Sequence, residues 1–382
     1  MRVLVIPTWY PNGEDKLMGV YHKEFTYALN NYGIKADMLF IDRQRLSNPF
    51  KYLFMKKKEI DKETNYNVYI YKLLNLSPIS FKLGINRYVK KLDYAFKDYL
   101  KYNEKPDLIH AHVTVPAGYA ACIIGKKYNI PVIVTEHCGN LERFYKNDSL
   151  KKYGNFVLKN STYSTVSKYM RDIVLKYTNE CYIIPNLVDT TPFNNDIVRK
   201  RNNVFKLVSV CALREGKRLD IAFKAIKKLK EQNIKIHLDV IGDGFYENYY
   251  KQVCDELNLH KEITFLGRKN KFEISEILKK ENALLISSEL ESFGIPGIEA
   301  MASGLPIVST DCLGPTEYIN SKVGVICKVN NVDDMADKIK YLIDHYEKYD
   351  NNYIRKEASR YSKEEVIKNT IKLYNKVLKN ND

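Results

Sequence analysis

Two glutamates, Glu291 and Glu299, flank a segment whose residue types favour the start of a helix. Pro296 suits the first helical turn, where its missing N–H is not needed, and Gly304 suits the helix end. The free N–H groups and the positive dipole end of such a helix would lie at 294–297 and bind an anion such as a diphosphate. Each carboxylate can accept paired hydrogen bonds from vicinal hydroxyls. The pattern favours a site for a ribose and a second sugar around one diphosphate.

The same residues allow a second interpretation. In it, Glu291 is a solvated loop residue and Glu299 interacts only with the dipole of the first helical turn. Residue chemistry alone leaves both interpretations open.

The elements that position these residues follow from an alternation of short apolar runs with segments of helical period. This alternation predicts parallel sheets with helices on both faces, and it restarts at 205–211. The predicted strands are 2–7, 36–41, 67–73, 107–112, 131–136, 162–166, 181–185, 205–211, 236–241, 262–266, 282–287, 305–309 and 323–327. The predicted helices are 20–32, 116–128, 218–232, 245–258, 272–280, 296–303, 332–346 and 363–379.

The length of 382 residues favours two domains rather than one. We expect a first domain at 1–188, a polar linker at 189–204 and a second domain at 205–362. The final amphipathic segment, 363–382, is expected to pack on the first domain. Ligands of such sheets lie beyond the carboxyl ends of the strands, so the default active site is a cleft between the two domains.

Composition excludes several classes of protein. The chain is 45% hydrophobic and 28% charged, which is not a disordered composition. No stretch approaches the roughly 18 apolar residues of a membrane span, and the first apolar run is too short for a signal peptide. The seven cysteines are scattered without a CxxC pair, which indicates reduced thiols. A cytoplasmic location without a cofactor is expected.

The net charge of +15 is concentrated in the first half of the chain. Segment 50–105 interleaves lysines with aromatic residues, and its second part has a helical period. A basic amphipathic helix of this kind suits the surface of an anionic membrane, at the inner face of the plasma membrane. The alternative is a solvated lysine-rich helix.

Several motifs, in order along nearly the whole chain, resemble those of glycosyltransferase family 4. This is the large retaining group 1 family with the GT-B fold, in which two Rossmann-like domains face each other across a cleft. The motifs are Trp9-Tyr10-Pro11 with Met18-Gly19-Val20, Asp107–His112, Pro131–His137, Thr165–Ser167, Ile184–Asp189, Val240–Gly244, Phe265–Arg268, Glu291–Glu299 with Ala300-Met301-Ala302, and Gly314–Glu317.

The resemblance implies a set of donor-binding residues. Glu291 would hold hydroxyls of the donor sugar, and Glu299 those of the ribose. The remaining donor contacts implied are backbone N–H groups of Phe293, Gly294 and Ile295, the diphosphate lysine Lys217, Arg268 and Lys269 beside the base, Gly19 in a loop near the diphosphate, and Glu317 near the diphosphate or ribose.

The chain departs from the family pattern at two places. Ala212 stands where members carry a phosphate-binding arginine, and Arg214 is the candidate to replace it. Leu313-Gly314 stands where members have two glycines.

The resemblance also implies retention of anomeric configuration, with the leaving phosphate accepting the proton of the acceptor. His112 matches the histidine that borders the reacting sugar, and His137 is a second residue on the acceptor side. The alternative for both is a buried histidine at a strand end, which is the role expected for His110. No Asp-x-Asp motif follows a candidate strand of the first half, so a metal-independent hexosyltransferase is expected.

The predicted function is transfer of a sugar from a nucleoside diphosphate sugar, a UDP-sugar, to a lipid-linked glycan of a bacterial capsule or other cell-surface polysaccharide. One alternative is the same chemistry on a small soluble acceptor. Another is a non-enzymatic nucleic-acid binder that uses the basic segment, although no nucleic-acid motif is present.

Overall fold

The computed structural model of the protein describes residues 1–11, 19–44, 52, 54–194, 197, 200 and 203–380. Met18 of the first-loop motif, Phe50 of the basic segment, part of the expected linker and residues 381–382 of the expected final helix lie outside the described residues. Contacts divide the chain into two units, Met1–Leu187 with Val366–Asp382, and Val188–Glu365.

The first unit contains one eight-stranded sheet. Its strands are β1 (Arg2–Pro7), β2 (Lys35–Gln44), β3 (Lys58–Lys62), β4 (Asn67–Leu74), β5 (Leu108–His112), β6 (Val132–Glu136), β7 (Thr162–Thr165) and β8 (Tyr182–Ile183). The order is β3-β4-β2-β1-β5-β6-β7-β8, and all neighbours are parallel except β3 and β4. The order reverses between β1 and β5, so the carboxyl end of β5 lies at the switch point where doubly wound sheets bind ligands.

Helices connect these strands. They are α1 (Val20–Asn31), α2 (Phe81–Tyr99), α3 (Tyr119–Tyr128), α4 (Leu141–Lys146), α5 (Asp148–Asn160) and α6 (Lys168–Val174). In α2, Ser80 caps the first turn by accepting a hydrogen bond from the N–H of Leu83, and Ile85, Tyr88 and Leu92 form the buried stripe.

The second unit contains a six-stranded parallel sheet. Its strands are β9 (Phe205–Val210), β10 (Ile236–Ile241), β11 (Ile263–Gly267), β12 (Ala283–Ile286), β13 (Ile307–Thr310) and β14 (Gly324–Cys327). Its longer helices are α7 (Leu219–Glu231), α8 (Glu247–Glu256), α9 (Lys271–Leu278), α10 (Ile295–Ala302), α11 (Val332–Asp344) and α12 (Asn351–Ala358). The order β11-β10-β9-β12-β13-β14 reverses between β9 and β12.

The last helix, α13 (Lys363–Lys379), packs in the first unit although it follows the second in the chain. Val366, Ile367 and Tyr374 join the core that includes Val3 and Phe25. The hydroxyl of Tyr374 also lies 2.6 Å from Nδ1 of His110. The apolar stripe of this helix therefore completes the first core.

The expected α/β class with two doubly wound sheets is confirmed. Some elements differ from the prediction: β3, α4, α5, α6 and α12 were not expected, and the strand predicted at 181–185 is only Tyr182–Ile183. All seven cysteines are free, and Cys138 is exposed. In the part of the chain that the structure describes, no helix is both long and apolar enough to cross a membrane.

Candidate active site

The loops that follow β9 and β12 carry Lys217 and Glu291 and lie side by side at the switch point of the second sheet. The ammonium of Lys217 forms an ion pair with Oε1 of Glu291, and the two side chains are 23% and 19% exposed. The hydroxyl of Ser288 donates to the same carboxylate oxygen at 2.7 Å. The strand order thus brings together a cation and a carboxylate that are 74 positions apart in the sequence.

Helix α10 begins four residues after Glu291, and no side chain caps its first turn. Gly294 precedes it with φ 81° and ψ 60°, a left-handed conformation that favours glycine. Tyr318 donates its hydroxyl to the carbonyl of Gly294 at 2.9 Å, and a Cβ on Gly297 would overlap that hydroxyl. The N–H of Gly297 donates to the carbonyl of Gly294 at 2.9 Å and Pro296 has no N–H, so the N–H groups of Gly294 and Ile295 are those suited to an anion.

The Glu291 loop is tied to the loop that follows β13. The N–H of Glu291 donates to the carbonyl of Cys312 at 2.9 Å, and the N–H of Gly314 donates to the carbonyl of Glu291 at 3.0 Å. A Cβ on Gly314 would lie 2.6 Å from the backbone nitrogen of Phe293, so this approach requires glycine. Leu313 has φ 80°, which explains why glycine suits this position in the pattern that the sequence resembles.

Other expected donor residues take different places around this turn. Phe293 buries its ring against Tyr318 and Tyr361, so only its backbone can meet a ligand. Glu299 is partly buried in α10, and Glu317 is exposed at the end of the short turn Gly314–Glu317. Ile295 is the first residue of α10.

The basic residues expected near the base and the diphosphate are spread across the sheet edge. Arg214 is exposed, and its carbonyl accepts a hydrogen bond from the hydroxyl of Tyr250 at 2.6 Å. Arg268 follows β11 and pairs with Asp243 at 2.9 Å. Lys269 lies 3.6 Å from Glu273 on α9. The structure unites Lys217 with Glu291, whereas Arg268 and Lys269 lie at the end of the outermost strand.

Arg218 contributes to the site and was not predicted. It has φ 50°, and its guanidinium pairs with Asp220 at 3.0 Å and Glu289 at 2.7 Å and donates to Asn330. The hydrogen bond to Asp220 is the main reason why the pKa of Arg218 is raised. Because Arg218 follows Lys217 and Glu289 precedes Glu291, this side chain fixes the two loops together.

The first unit gathers three histidines at its own switch point. His112 ends β5, His137 follows β6, and their Nδ1 and Nε2 atoms lie 2.9 Å apart. Nδ1 of His137 lies 2.9 Å from Oδ1 of Asn186. His22 on α1, which sequence reasoning missed, lies beside His112 with the rings tilted by 43° and their centroids 4.6 Å apart. His22 follows Gly19 of the first-loop motif by three residues, and this closeness in sequence was the signal that could have identified it.

Burial keeps these histidines neutral. It lowers the pKa of His22 and His112 well below the usual value of histidine, and nearby histidines add to the shift. Burial likewise lowers the pKa of His137 to about 4 and that of His110 to about 3. His110 contacts Tyr374 and Thr135 with its two ring nitrogens, which is the structural role expected for it.

Gly19 lies against the first loop. It has φ 76°, and a Cβ there would lie 2.5 Å from the carbonyl oxygen of Trp9. Both observations require glycine where the chain enters α1.

The start of α2 exposes apolar and basic side chains together. Ile79 is 70% exposed, and Phe81 and Leu83 are also exposed. Lys82 and Lys90 are exposed on the same helix. The described part of the basic segment therefore presents a mixed apolar and cationic surface, called here the α2 surface.

Two family models match the chain over adjoining ranges. The model described as Glycosyltransferase Family 4 matches residues 56–192, and the model described as Glycosyl transferases group 1 matches residues 191–361. An uncharacterized glycosyltransferase of Methanocaldococcus jannaschii is 30% identical over 252 residues, which are 64% of this chain and 68% of that protein.

Two further similarities bear on the site. N-acetyl-alpha-D-glucosaminyl L-malate synthase of Bacillus anthracis is 24% identical over 295 residues, which are 72% of this chain and 76% of that protein. The solved structure of HepE of Anabaena in complex with UDP has a TM-score of 0.76 at 16% identity, over 98% of this chain and 100% of that one. At this identity the structural likeness concerns the fold.

Proposed function

We propose that this chain, which belongs to the group 1 glycosyl transferases of family 4, moves a sugar from a UDP-sugar to an acceptor with retention of anomeric configuration. That it is a glycosyltransferase of the GT-B type follows from the family. The single observation that carries the donor assignment is the Lys217–Glu291 pair beside the uncapped first turn of α10.

The proposed chemistry needs positive potential where the diphosphate leaves. Lys217 and the N–H groups of Gly294 and Ile295 at the start of α10 supply it, and they act where charge develops as the bond breaks. The acceptor oxygen forms a bond to the anomeric carbon, the bond from that carbon to the phosphate oxygen breaks, and this phosphate oxygen takes the acceptor proton. Since the charge is met by Lys217 and the helix terminus, we propose that transfer requires no metal ion.

The other residues receive roles by position. Glu291 holds hydroxyls of the donor sugar, and Glu299 holds those of the ribose. His112, held by His137, orients the reacting sugar from the first unit. The remaining proposed donor contacts are the backbone of Phe293, Gly294 and Ile295, the side chains of Arg214, Arg268, Lys269 and Glu317, and the close approach of Gly19.

We propose a lipid-linked glycan of a cell-surface polysaccharide as the acceptor, met at an anionic membrane. The α2 surface supports this, because exposed Ile79, Phe81 and Leu83 can enter the lipid interface while lysines meet its negative charge. Pelleting with anionic vesicles at low salt tests it. The protein should pellet, and replacement of these three residues by serine should release it; no pelleting would contradict the membrane location.

A small soluble acceptor is the second candidate. It is favoured by the similarity to N-acetyl-alpha-D-glucosaminyl L-malate synthase, whose name implies a small acceptor. The vesicle experiment separates the two candidates.

A thermal-shift panel of UDP- and GDP-sugars with a chelator present tests the donor. UDP-sugars should raise the unfolding temperature, because a ligand bound only to the folded state stabilises it. Glu299→Ala should abolish the shift, while Glu357→Ala, on α12 of the same unit, should preserve it. No shift with any nucleotide sugar would contradict the donor site, and a retained shift in Glu299→Ala would contradict the ribose contact.

A further inference from the structure

Three histidines of the first unit, His22, His112 and His137, each bring one ring nitrogen within 4.8 Å of the others. They come from α1, from the end of β5 and from the residue after β6. Across the described ranges of the chain, no other group of His, Cys, Asp or Glu side chains comes together in this way. We propose that this histidine cluster binds one divalent transition-metal ion of the zinc class.

Two nitrogens of the cluster have an unused capacity to bind. Nδ1 of His22 and Nε2 of His112 are shielded from solvent and have no hydrogen-bond partner. The two residues are only 3% and 0% exposed. A buried polar atom without a partner costs about 1–3 kcal/mol, a cost that a purely structural role would leave uncompensated. A metal ion uses such lone pairs directly.

The donor atoms of the cluster suit a transition metal. Each histidine offers an imidazole nitrogen, the commonest protein ligand of such ions. An all-nitrogen ligand set favours Zn²⁺, Cu²⁺ or Ni²⁺ over Mg²⁺ and Ca²⁺, which prefer oxygen.

The size and surroundings of the cluster also fit. Zinc–nitrogen bonds of ~2.0–2.1 Å place tetrahedral ligand atoms about 3.3 Å apart. The nitrogens of the cluster lie within 4.8 Å of one another, so side-chain movements that shorten these distances by about 1.5 Å or less would complete the site. Oδ1 of Asn186, 2.9 Å from Nδ1 of His137, fixes that ring by accepting its proton. The other nitrogen, Nε2, then directs its lone pair toward Nδ1 of His112 at 2.9 Å, and a bound ion would replace this contact. Three protein ligands leave one position open.

The site has a consequence for catalysis, and this consequence alone rests on the proposed function. His112 is the histidine proposed to orient the reacting sugar. An ion bound to Nε2 of His112 would occupy the nitrogen that is otherwise without a partner, and it would hold the ring in place. The cluster would therefore let zinc inhibit sugar transfer by binding to residues of the first unit.

Calorimetric titration of the full chain with zinc chloride, after treatment with a chelator, tests binding. One ion should bind per chain, and His22→Phe and His112→Phe should each weaken binding at least about tenfold, the loss expected even for an outer partner. Magnesium should not bind. Exposed Cys138 lies next to His137 and exposed His260 lies in the second unit, so Cys138→Ser and His260→Ala serve as controls that retain binding.

Two results would overturn the site. One is zinc binding of unchanged affinity in His22→Phe and His112→Phe. The other is loss of binding in Cys138→Ser with retention in His22→Phe, which would indicate an adventitious thiol site. X-ray absorption of the zinc-loaded unmodified protein gives a test that needs no variant: a shell of imidazole nitrogens supports the cluster, and a sulfur shell contradicts it.

The inhibitory half is tested with the transferase assay. The ratio of transferase activity with zinc to activity without it should decrease as zinc occupies the histidine cluster. In His22→Phe, the same decrease should require a higher zinc concentration. Zinc that binds the cluster without lowering the ratio would refute inhibition and the role of His112 in transfer, while the metal site would stand. Absence of any transfer in metal-free protein would instead refute the proposed function.

Discussion

Replacement of Lys217 by methionine separates recognition of the diphosphate from recognition of the nucleoside. Methionine keeps much of the length of the side chain and removes its charge. UDP should bind more weakly to Lys217→Met, while uridine, which lacks phosphate, should bind the variant and the unmodified protein equally. The two ligands should respond differently because Lys217 is proposed to contact the phosphate groups and neither the base nor the ribose.

The magnitude follows from the state of Lys217 without ligand. A hydrogen bond to a charged group contributes about 1.5–3 kcal/mol, and about 1.4 kcal/mol is a factor of ten in affinity. Lys217 is already paired with Glu291, so binding exchanges one anion for another and only part of this energy is gained. We therefore expect the Kd for UDP to rise about tenfold, the lower end of the range. Because the pair is partly exposed, its loss should change the free energy of unfolding by no more than about 1 kcal/mol.

Isothermal titration of both ligands at fixed ionic strength measures this, since salt screens the contribution. Lys228→Met is the matched control, because Lys228 is a partly exposed lysine of the same unit that pairs with Asp333. It should leave both affinities unchanged. The reasoning is refuted if Lys217→Met binds UDP as tightly as the unmodified protein, or if UDP and uridine lose affinity equally.

Three further outcomes are expected. Gly314→Ala should lower the free energy of unfolding, measured in urea, by about 1–3 kcal/mol, because its Cβ would lie 2.6 Å from a backbone nitrogen of the facing loop. Gly216→Ala is the control, because a Cβ at Gly216 has no atom within 4 Å. Equal losses of stability in the two variants would contradict the clash. Stability should fall as pH drops below about 6.5, since the folded state holds His137 with a pKa of about 4 and the unfolded chain binds more protons there, at up to about 1.4 kcal/mol per pH unit per histidine. Urea unfolding between pH 7.5 and 5 measures this, and a flat profile would contradict buried neutral histidines. Tyr374→Phe should cost about 1–3 kcal/mol in the same assay because it leaves a buried nitrogen of His110 without its partner, and an unchanged midpoint would show that this contact is dispensable.

The strands of both sheets could be predicted because most are continuous apolar runs buried on both faces. Val3, Leu4, Val5 and Ile6 are all fully buried, as expected for a central parallel strand. Strand β3 was missed because its sequence is largely charged, which is common on sheet edges and hides the pattern. Helix α4 was missed because it buries only Leu141 and Tyr145, too few to show a period.

The candidate site was predictable only where local chemistry marks it. Pro296 and Gly294 indicate the start of α10 from the sequence alone. The pairing of Lys217 with Glu291 depends on strand order, which no local pattern encodes. Arg218 takes a left-handed conformation that the sequence does not suggest, because long-range contacts to other loops hold it there. Its place in the site could not be inferred from residue type.

The packing of α13 in the first unit has a consequence for biosynthesis. The first 187 residues are synthesised well before Lys363–Lys379, so the core around Val3 and Phe25 stays open at one face until this helix emerges. The second unit is contiguous and can close as soon as it emerges, whereas domains usually fold in chain order. The order of folding is therefore inverted for this part of the molecule, and His110 obtains its hydrogen bond to Tyr374 only after this last helix has been synthesised.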